Sequence, residues 1–230
     1  MKLLFVLLTM LTTYSQSTFH TECPVEVNAS QEACNAVIDT LIHQLQTDPK
    51  LLSPWAFAGT GEQTDESKNA IYLIWKESEY NPETHYSRLL FDILVNGKPQ
   101  FKDAVIESLV TDTMAGDRRD IRVDIYYSGA ILKQAWGNFH VLPTSDSTAT
   151  MSIDVHIKFG WFFRIFISRK VYSETIDWRV ERFMQNLKMA AEGGNPTDAY
   201  WREKETSPNP SKSTPLRPRA CGAPATEGAQ

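Results

Sequence analysis

The hydrophobic period of this chain changes once along its length, and that change leaves few folds open. From Ile71 to Phe159, apolar and polar residues alternate in pieces of strand length. Ile71, Leu73 and Trp75 share a face, as do Leu89, Phe91, Ile93 and Val95. Ile121, Val123, Ile125 and Tyr127 point one way while Arg122, Asp124 and Tyr126 point the other. Met151, Ile153, Val155, Ile157 and Phe159 alternate with Ser152, Asp154, His156 and Lys158. A period of two marks strands with one covered face. Short turn signals separate them: Asn81-Pro82, Asn96-Gly97, Ala115-Gly116-Asp117, Ser128-Gly129 and Thr144 to Thr148. Asn96-Gly97 is the strongest, because both residues tolerate positive φ. Consecutive strands joined by short turns predict an antiparallel meander. Pro143 is expected to stop the strand that follows Ile131.

Beyond Phe159 the period lengthens. Ile176, Val180, Phe183, Leu187 and Ala190 or Ala191 recur at helical spacing, and the stripe extends back through Phe162 and Phe166. A long amphipathic helix is therefore predicted to close the chain's core, ending at Gly193-Gly194-Asn195-Pro196. The dense run from Phe159 to Ile167 has two readings: its aromatic and β-branched residues favour a strand, while its spacing favours the start of the helix. Another helix is predicted ahead of the meander. After a short strand at Pro24 to Asn28, Ser30 is a suitable N-cap. Ala33, Val37, Leu41 and Leu45 then form an apolar stripe, widened by Ala36, Ile38 and Ile42, and Pro49 ends it. Gly59 to Asn69 is polar and reads as a loop.

The ends differ from the middle. Met1 to Ser15 has the parts of a secretory signal peptide: Lys2, the apolar run Leu3 to Leu11, and small residues Thr13 and Ser15 before Gln16. The apolar run is shorter than the roughly 20 residues a membrane span needs. A secreted or periplasmic protein with no integral membrane segment in its mature chain is expected. Export permits disulfides. Cys23 and Cys34 are close enough in sequence to bridge, and two buried free thiols are the other reading; Cys221 is the odd one out. From 194 to 230 the chain gathers six of its 12 prolines, with few apolar residues, and a disordered tail is expected. The net charge of −5 weighs against nucleic acid. Arg118-Arg119 and Arg169-Lys170 read as solvated edges.

The order is thus strand, helix, about six antiparallel strands and a long C-terminal helix over 24–193. That order resembles the helix-grip fold of the START and Bet v 1-like superfamily. Val25-Glu26-Val27-Asn28-Ala29-Ser30-Gln31-Glu32-Ala33 is similar to the family's opening turn into the first helix, with Gln31 where proline is usual. Trp136 to Pro143, followed by Thr148 to Ile153, resembles the last hairpin of polyketide-cyclase-type members, and Phe183 to Glu192 the closing helix end. The residues from Leu45 to Asn69 depart from the pattern. The resemblance implies an α+β fold in which a curved sheet of six to seven strands wraps around the C-terminal helix. It also implies an apolar cavity between them. Phe162, Phe166, Ile176, Val180, Phe183 and Leu187 from the helix side, and Ile121, Val123, Ile125 and Tyr127 from the sheet, are the expected lining. The implied ligand is a hydrophobic small molecule or lipid; some members of the superfamily are cyclases or dehydratases.

No sequence motif points to catalysis. A Gly-rich phosphate loop, paired carboxylates and a nucleophile elbow are all missing from the sequence. Three cysteines without a Cys-x-x-Cys or a neighbouring His pair predict no metal site, and no cofactor is expected. Alternation turns His140 and His156 outward. An enzyme of this fold needs a polar group facing the cavity, for which Arg88, Asp92 and Glu107 are the strand-borne candidates. A lipid-binding protein, an enzyme of the cyclase or dehydratase type, and a cell-envelope interaction module are the three functions carried forward, the first preferred.

Overall fold

The computed structural model of the chain describes residues 18–60, 71–95, 97–129, 132–160 and 167–206. Seven strands form one antiparallel sheet: β1 (Phe19–Val27), β2 (Ile71–Asn81), β3 (Tyr86–Val95), β4 (Lys98–Ala115), β5 (Arg118–Tyr127), β6 (Leu132–Ser145) and β7 (Thr148–Phe159). Their spatial order is β1-β7-β6-β5-β4-β3-β2. The meander from β2 to β7 is the one the turn signals predict, and β1 returns to pair with β7, Val25 opposite Met151. Helix α1 (Gln31–Thr47) separates β1 from the meander. Helix α2 (Arg169–Tyr172) runs through a π-helical turn (Ser173–Asp177) into α3 (Trp178–Ala191), and α4 (Pro196–Thr206) follows. This is the α+β helix-grip architecture: an open antiparallel sheet with helices on one face.

Register identifies that face. Directly opposed residues share a side of the sheet. Val25, Met151, Val141 and Arg119 are linked in this way from β1 to β5, and Cys23, Ile153, Phe139 and Ile121 form the adjoining row. Helix α3 packs here on β1 and β7, with α1 beside it. Met184 and Leu187 of α3, Cys34 and Ile38 of α1, and Val25, Val27, Val141, Ala149 and Met151 of the sheet make one buried cluster. Burying each large aliphatic side chain contributes roughly 1.5–3 kcal/mol, and this cluster dominates the fold. Ser30 caps α1, its Oγ accepting from Ala33 N at 3.4 Å. The helix turns Cys34 and Ile38 fully inward. That line lies beside the predicted stripe, of which Val37 packs against the core from a half-buried position.

Four expectations change. Strand β6 passes through Pro143, which pairs with Ala149 next to an irregularity before Ser145, the kind of place where a strand tolerates proline. Pro196–Thr206 is helical rather than disordered: Asn195 accepts from Thr197 N and Asp198 N at 3.0 and 3.3 Å, and Pro196 occupies a first-turn position where its missing N–H costs nothing. The remainder of the tail, like the leader, lies outside the described residues. Cys34 is a free, buried thiol while Cys23 is disulfide-bonded, so the two are not bridged to each other. A strand position and a helix position that share a core pack as apolar neighbours without needing a bond. Finally, Arg119 is not a solvated edge. Its side chain is 11% exposed and reaches from the inner face of β5 to Asp39 of α1 at 2.7 Å and Asp112 of β4 at 2.6 Å.

The segment after α1 is held by polar contacts rather than by regular structure. Asn186 of α3, fully buried, donates to the carbonyls of Ala56 and Ala58 at 3.1 and 2.9 Å, and Arg179 Nε donates to Thr60 O at 2.8 Å. Gly59 sits at φ +73° with Tyr200 of α4 against it, where a Cβ would lie 2.9 Å from the ring. That conformation and that space both require glycine.

Arg119 forms the charged link between α1 and the sheet. Replacing it with Met is expected to lower stability by about 1.5–3 kcal/mol, the range for hydrogen bonds to charged groups. Lys should restore less than half of this, since an ammonium cannot hold two carboxylates in the guanidinium's fork geometry. Chemical denaturation of the three proteins at pH 7 checks the order Arg, Lys, Met.

Candidate functional site

The covered face is closed at one end and open at the other. Ile121, Val141, Ala149 and Met151 are buried. Further along the same face, Val123 and Ile125 of β5, Phe139 of β6, and Ile153, Val155 and Ile157 of β7 are only half-buried. Register links them as one surface: Ile125 opposite Ala135 opposite Ile157, and Val123 opposite Gly137 opposite Val155. Gly137 leaves the middle of this surface without a side chain, and a Cβ there would lie 3.3 Å from the Asp154 carbonyl. Half-buried apolar side chains on the inner face of a sheet form a surface suited to an apolar ligand.

Helix α3 presents a line of polar groups toward the same face. Apart from Asn186, which is buried against the segment after α1, the buried positions from α2 through α3 are Tyr172, Asp177, Glu181, Met184, Leu187 and Ala191. Their first interval is five residues, the signature of the π turn at Ser173–Asp177. The other intervals are three or four. The extra residue rotates the helix and brings Asp177 and Glu181 inward, one turn apart. Asp177 is satisfied: Thr21 of β1 donates from Oγ1 to its Oδ1 at 2.5 Å. With that proton committed, the Tyr172 hydroxyl is the donor to Thr21 Oγ1 at 2.9 Å. Tyr172 stacks on Phe19 with ring centroids 4.6 Å apart, and burial pushes its hydroxyl pKa up. The trio ties the helix to the edge strand.

Glu181 is different. It is 6% exposed and has no hydrogen-bond or ion-pair partner among the described residues. Burial alone pushes its pKa up to about 7. A carboxyl with no compensating charge keeps its proton in such a place. At neutral pH it is therefore poised between a neutral acid that donates one hydrogen bond and a carboxylate that accepts several.

The expected lining residues divide as follows. Ile121 and Leu187 belong to the closed core. Val180 and Phe183 pack against that core from half-buried positions, and Phe183 also meets Phe57 at 5.2 Å. Phe57 in turn meets Trp75 at 5.9 Å, and Trp75 meets Phe91 at 5.5 Å, an aromatic row toward β2 and β3. Ile176 is half-buried in the π turn, and Val123 and Ile125 lie on the half-buried inner face. Tyr127 is half exposed, beyond the register shift of β4 at Glu107. Phe162 and Phe166 lie outside the described residues. Asp177 and Glu181 were not expected, because a regular helix of fixed phase places Ile176 and Val180 inward in their stead.

The strand-borne catalytic candidates Arg88, Asp92 and Glu107 lie on the other side. Arg88 and Glu107 oppose each other next to the inner pair Leu89 and Ile106, and Asp92 follows inner Phe91 and binds Lys76 at 2.6 Å. His140 binds Asp120 on the outer face, and His85 and His43 are exposed. A separate surface groove of about 590 Å³ lies between α1 and the end of α3, against Ala36, Val37, Trp55, Ala190 and Pro196. No described helix is long and apolar enough to cross a membrane.

No protein-family model matches the chain, and no curated protein matches it by sequence. Among solved structures it is similar to a START superfamily protein from Mycobacterium smegmatis, at 13% identity over 76% of this chain and 94% of that one, with a TM-score of 0.41. It is also similar to norcoclaurine synthase from Thalictrum flavum in complex with dopamine and hydroxybenzaldehyde, at 12% identity over 80% and 90% with a TM-score of 0.45. The Zhui aromatase/cyclase from Streptomyces sp. R1128 matches at 13% identity over 77% and 93%, with a TM-score of 0.44.

The sign of the Glu181 effect on stability follows from its raised pKa. Below about pH 4.5 both folded and unfolded chains keep the proton, and no penalty applies. Between there and pH 7 the unfolded chain gives it up first, so stability falls as pH rises; above pH 7 the full penalty stays. Glu181→Gln is expected to match wild type near pH 5 and to exceed it at pH 8 by about 1–2 kcal/mol, which is about 3–6 °C in Tm. Thermal melts of both proteins from pH 4.5 to 8.5 check this, and parallel curves would contradict it.

Proposed function

We propose that this protein binds a hydrophobic small molecule or lipid between the inner face of the sheet and helix α3, without transforming it. One observation carries the reading: Glu181, a buried carboxyl whose pKa burial raises to about 7, stands on the helix that packs on β1 and β7, while the apolar inner-face side chains of β5, β6 and β7 beyond the closed core stay half-buried. An apolar body covered by Val123, Ile125, Ile153, Val155 and Ile157 would gain roughly 25 cal/mol per Å² removed from water. A hydroxyl, carbonyl or carboxyl on that molecule would give Glu181 a hydrogen-bond partner in place of solvent, a net gain of about 0.5–1.5 kcal/mol. A ligand that is apolar over most of its length with one polar group fits both demands.

Binding is preferred over chemistry because Arg88, Asp92, Glu107 and the described histidines face away from the inner surface or stand in exposed positions. Asp177 and Tyr172 are tied to Thr21, so Glu181 is the one inward ionisable group described there without such a tie, whereas proton transfer between two sites of a substrate calls for an acid and a base with separated pKa values.

Export belongs to the same proposal. It rests on the Met1 to Ser15 leader and on the disulfide of Cys23, a bond that persists in oxidising compartments. Intact-mass measurement of the protein from a secreting host should give a chain starting at Gln16, and an unshortened chain held in the cytoplasm would contradict it.

The binding claim is tested on the full exported chain. Native mass spectrometry should show an adduct that collisional activation removes, and solvent extraction should release an apolar compound bearing a polar group. A bare protein mass, combined with no saturable fluorescence rise on titration with an anilinonaphthalene sulfonate probe, would overturn the reading.

A further inference from the structure

We propose a divalent transition-metal site on the outer face of the sheet, formed by His20 of β1 and Asp154 and His156 of β7. The three side chains converge although 134 residues separate His20 from Asp154 in sequence. His20 Nε2 lies 2.6 Å from Asp154 Oδ1, and His156 Nε2 lies 3.1 Å from the same oxygen. One ligand atom from each residue falls within 4.8 Å of the others. Zinc at 2.0–2.1 Å from its ligands in tetrahedral geometry holds them about 3.3 Å apart. Shifts of about an ångström in exposed side chains therefore make room for an ion.

The sheet places these groups without help from loops. His20 and His156 are opposed in the β1–β7 register, and Asp154 precedes His156 by two, on the same face. The His156 ring is held against Trp136 at 3.6 Å, and the exposed His20 ring, stacked on its other face at 4.3 Å, must turn out of that stack to bring its in-plane lone pair to the same ion. Trp136 is itself covered by the Arg122 guanidinium at 4.7 Å, and that group is fixed by two hydrogen bonds to Asp124 at 2.7 Å. Sites carried on strands and supported by packed neighbours are held more closely than sites on loops. Glu22, exposed and opposite Asp154 in register, adds negative charge beside the cluster.

The donor set selects the ion. Two imidazole nitrogens and one carboxylate oxygen suit zinc, copper, nickel or iron(II), and do not suit calcium or magnesium, which take oxygen ligands. Both rings turn Nε2 toward the same carboxylate oxygen, and a divalent cation there would accept the lone pair of each ring together with the carboxylate charge. The side chains are partly exposed, His20 at 47%, Asp154 at 28% and His156 at 23%. Water completes the coordination. Nothing in this site touches the inner face, so its presence is independent of ligand binding at Glu181.

Calorimetry with zinc chloride on the chelator-treated full chain tests the proposal, with cobalt(II) absorption for coordination geometry. One ion per chain is expected. His20→Ala, His156→Ala and Asp154→Asn should each weaken binding by about 10-fold or more, while His43→Ala should leave it unchanged. Copper(II) added to the unmodified chain should give electron paramagnetic resonance couplings from two imidazole nitrogens, a readout that needs no variant to fold. Binding that survives in the His20→Ala and His156→Ala chains, or copper spectra with no imidazole coupling and no stoichiometric zinc, would overturn the site.

Discussion

The packing of Met184 and Leu187 of α3 onto Val25, Val27, Val141 and Met151 is the contact on which the rest of the structure depends. It joins the last helix to the first strand and to the end of the meander, so elements from both termini of the domain enter one core. Strand β1 is an edge strand, held by β7 on one side of its backbone and by α3 across its face. The polar trio Thr21, Tyr172 and Asp177 extends that attachment by a further helical turn. Glu181 follows one turn later, buried between that trio and the core residue Met184.

Most of the fold was legible in the sequence because it depends on period and turn chemistry. The two-residue alternation of β5 and β7, Ser30 as an N-cap and Gly97 at positive φ ahead of β4 are local signals, and these survive into the structure. What could not be read depends on geometry between distant parts. The π turn has no sequence signature in Ser173–Asp177, and it shifts the helix phase so that Asp177 and Glu181 turn inward. Arg119 looked like a surface cation because its partners, Asp39 and Asp112, lie on other elements. The outer cluster of His20 with His156 required the β1–β7 register, which no alternation pattern reveals. Pro196 reads as a stop signal by itself, and only with Asn195 as a cap does it read as a helix start.

The two faces of the sheet therefore carry different chemistry. The outer face holds ion pairs, stacked rings and the histidines, all partly exposed to water. The inner face is apolar save for the groups α2 and α3 bring to it and for Thr21, Asp112 and Arg119 of the sheet. Arg119, although it springs from the inner face, is consumed in joining α1 to β4. That leaves Glu181 as the inner group whose charge is free to respond to an occupant, and a carboxyl that can take up a proton near pH 7 is compatible with an apolar neighbour in a way a fixed carboxylate is not.

The most direct measurement of the central claim is a methyl-resolved NMR titration of the lipid-depleted protein with a medium-chain fatty alcohol. The account predicts saturable shifts at the methyls of Val123, Ile125, Ile153, Val155 and Ile157, with a matching change at the Glu181 side-chain carboxyl. Shifts confined to Ala33, Ala36 and Val37 in the α1 groove, or none at the inner-face methyls, would contradict it.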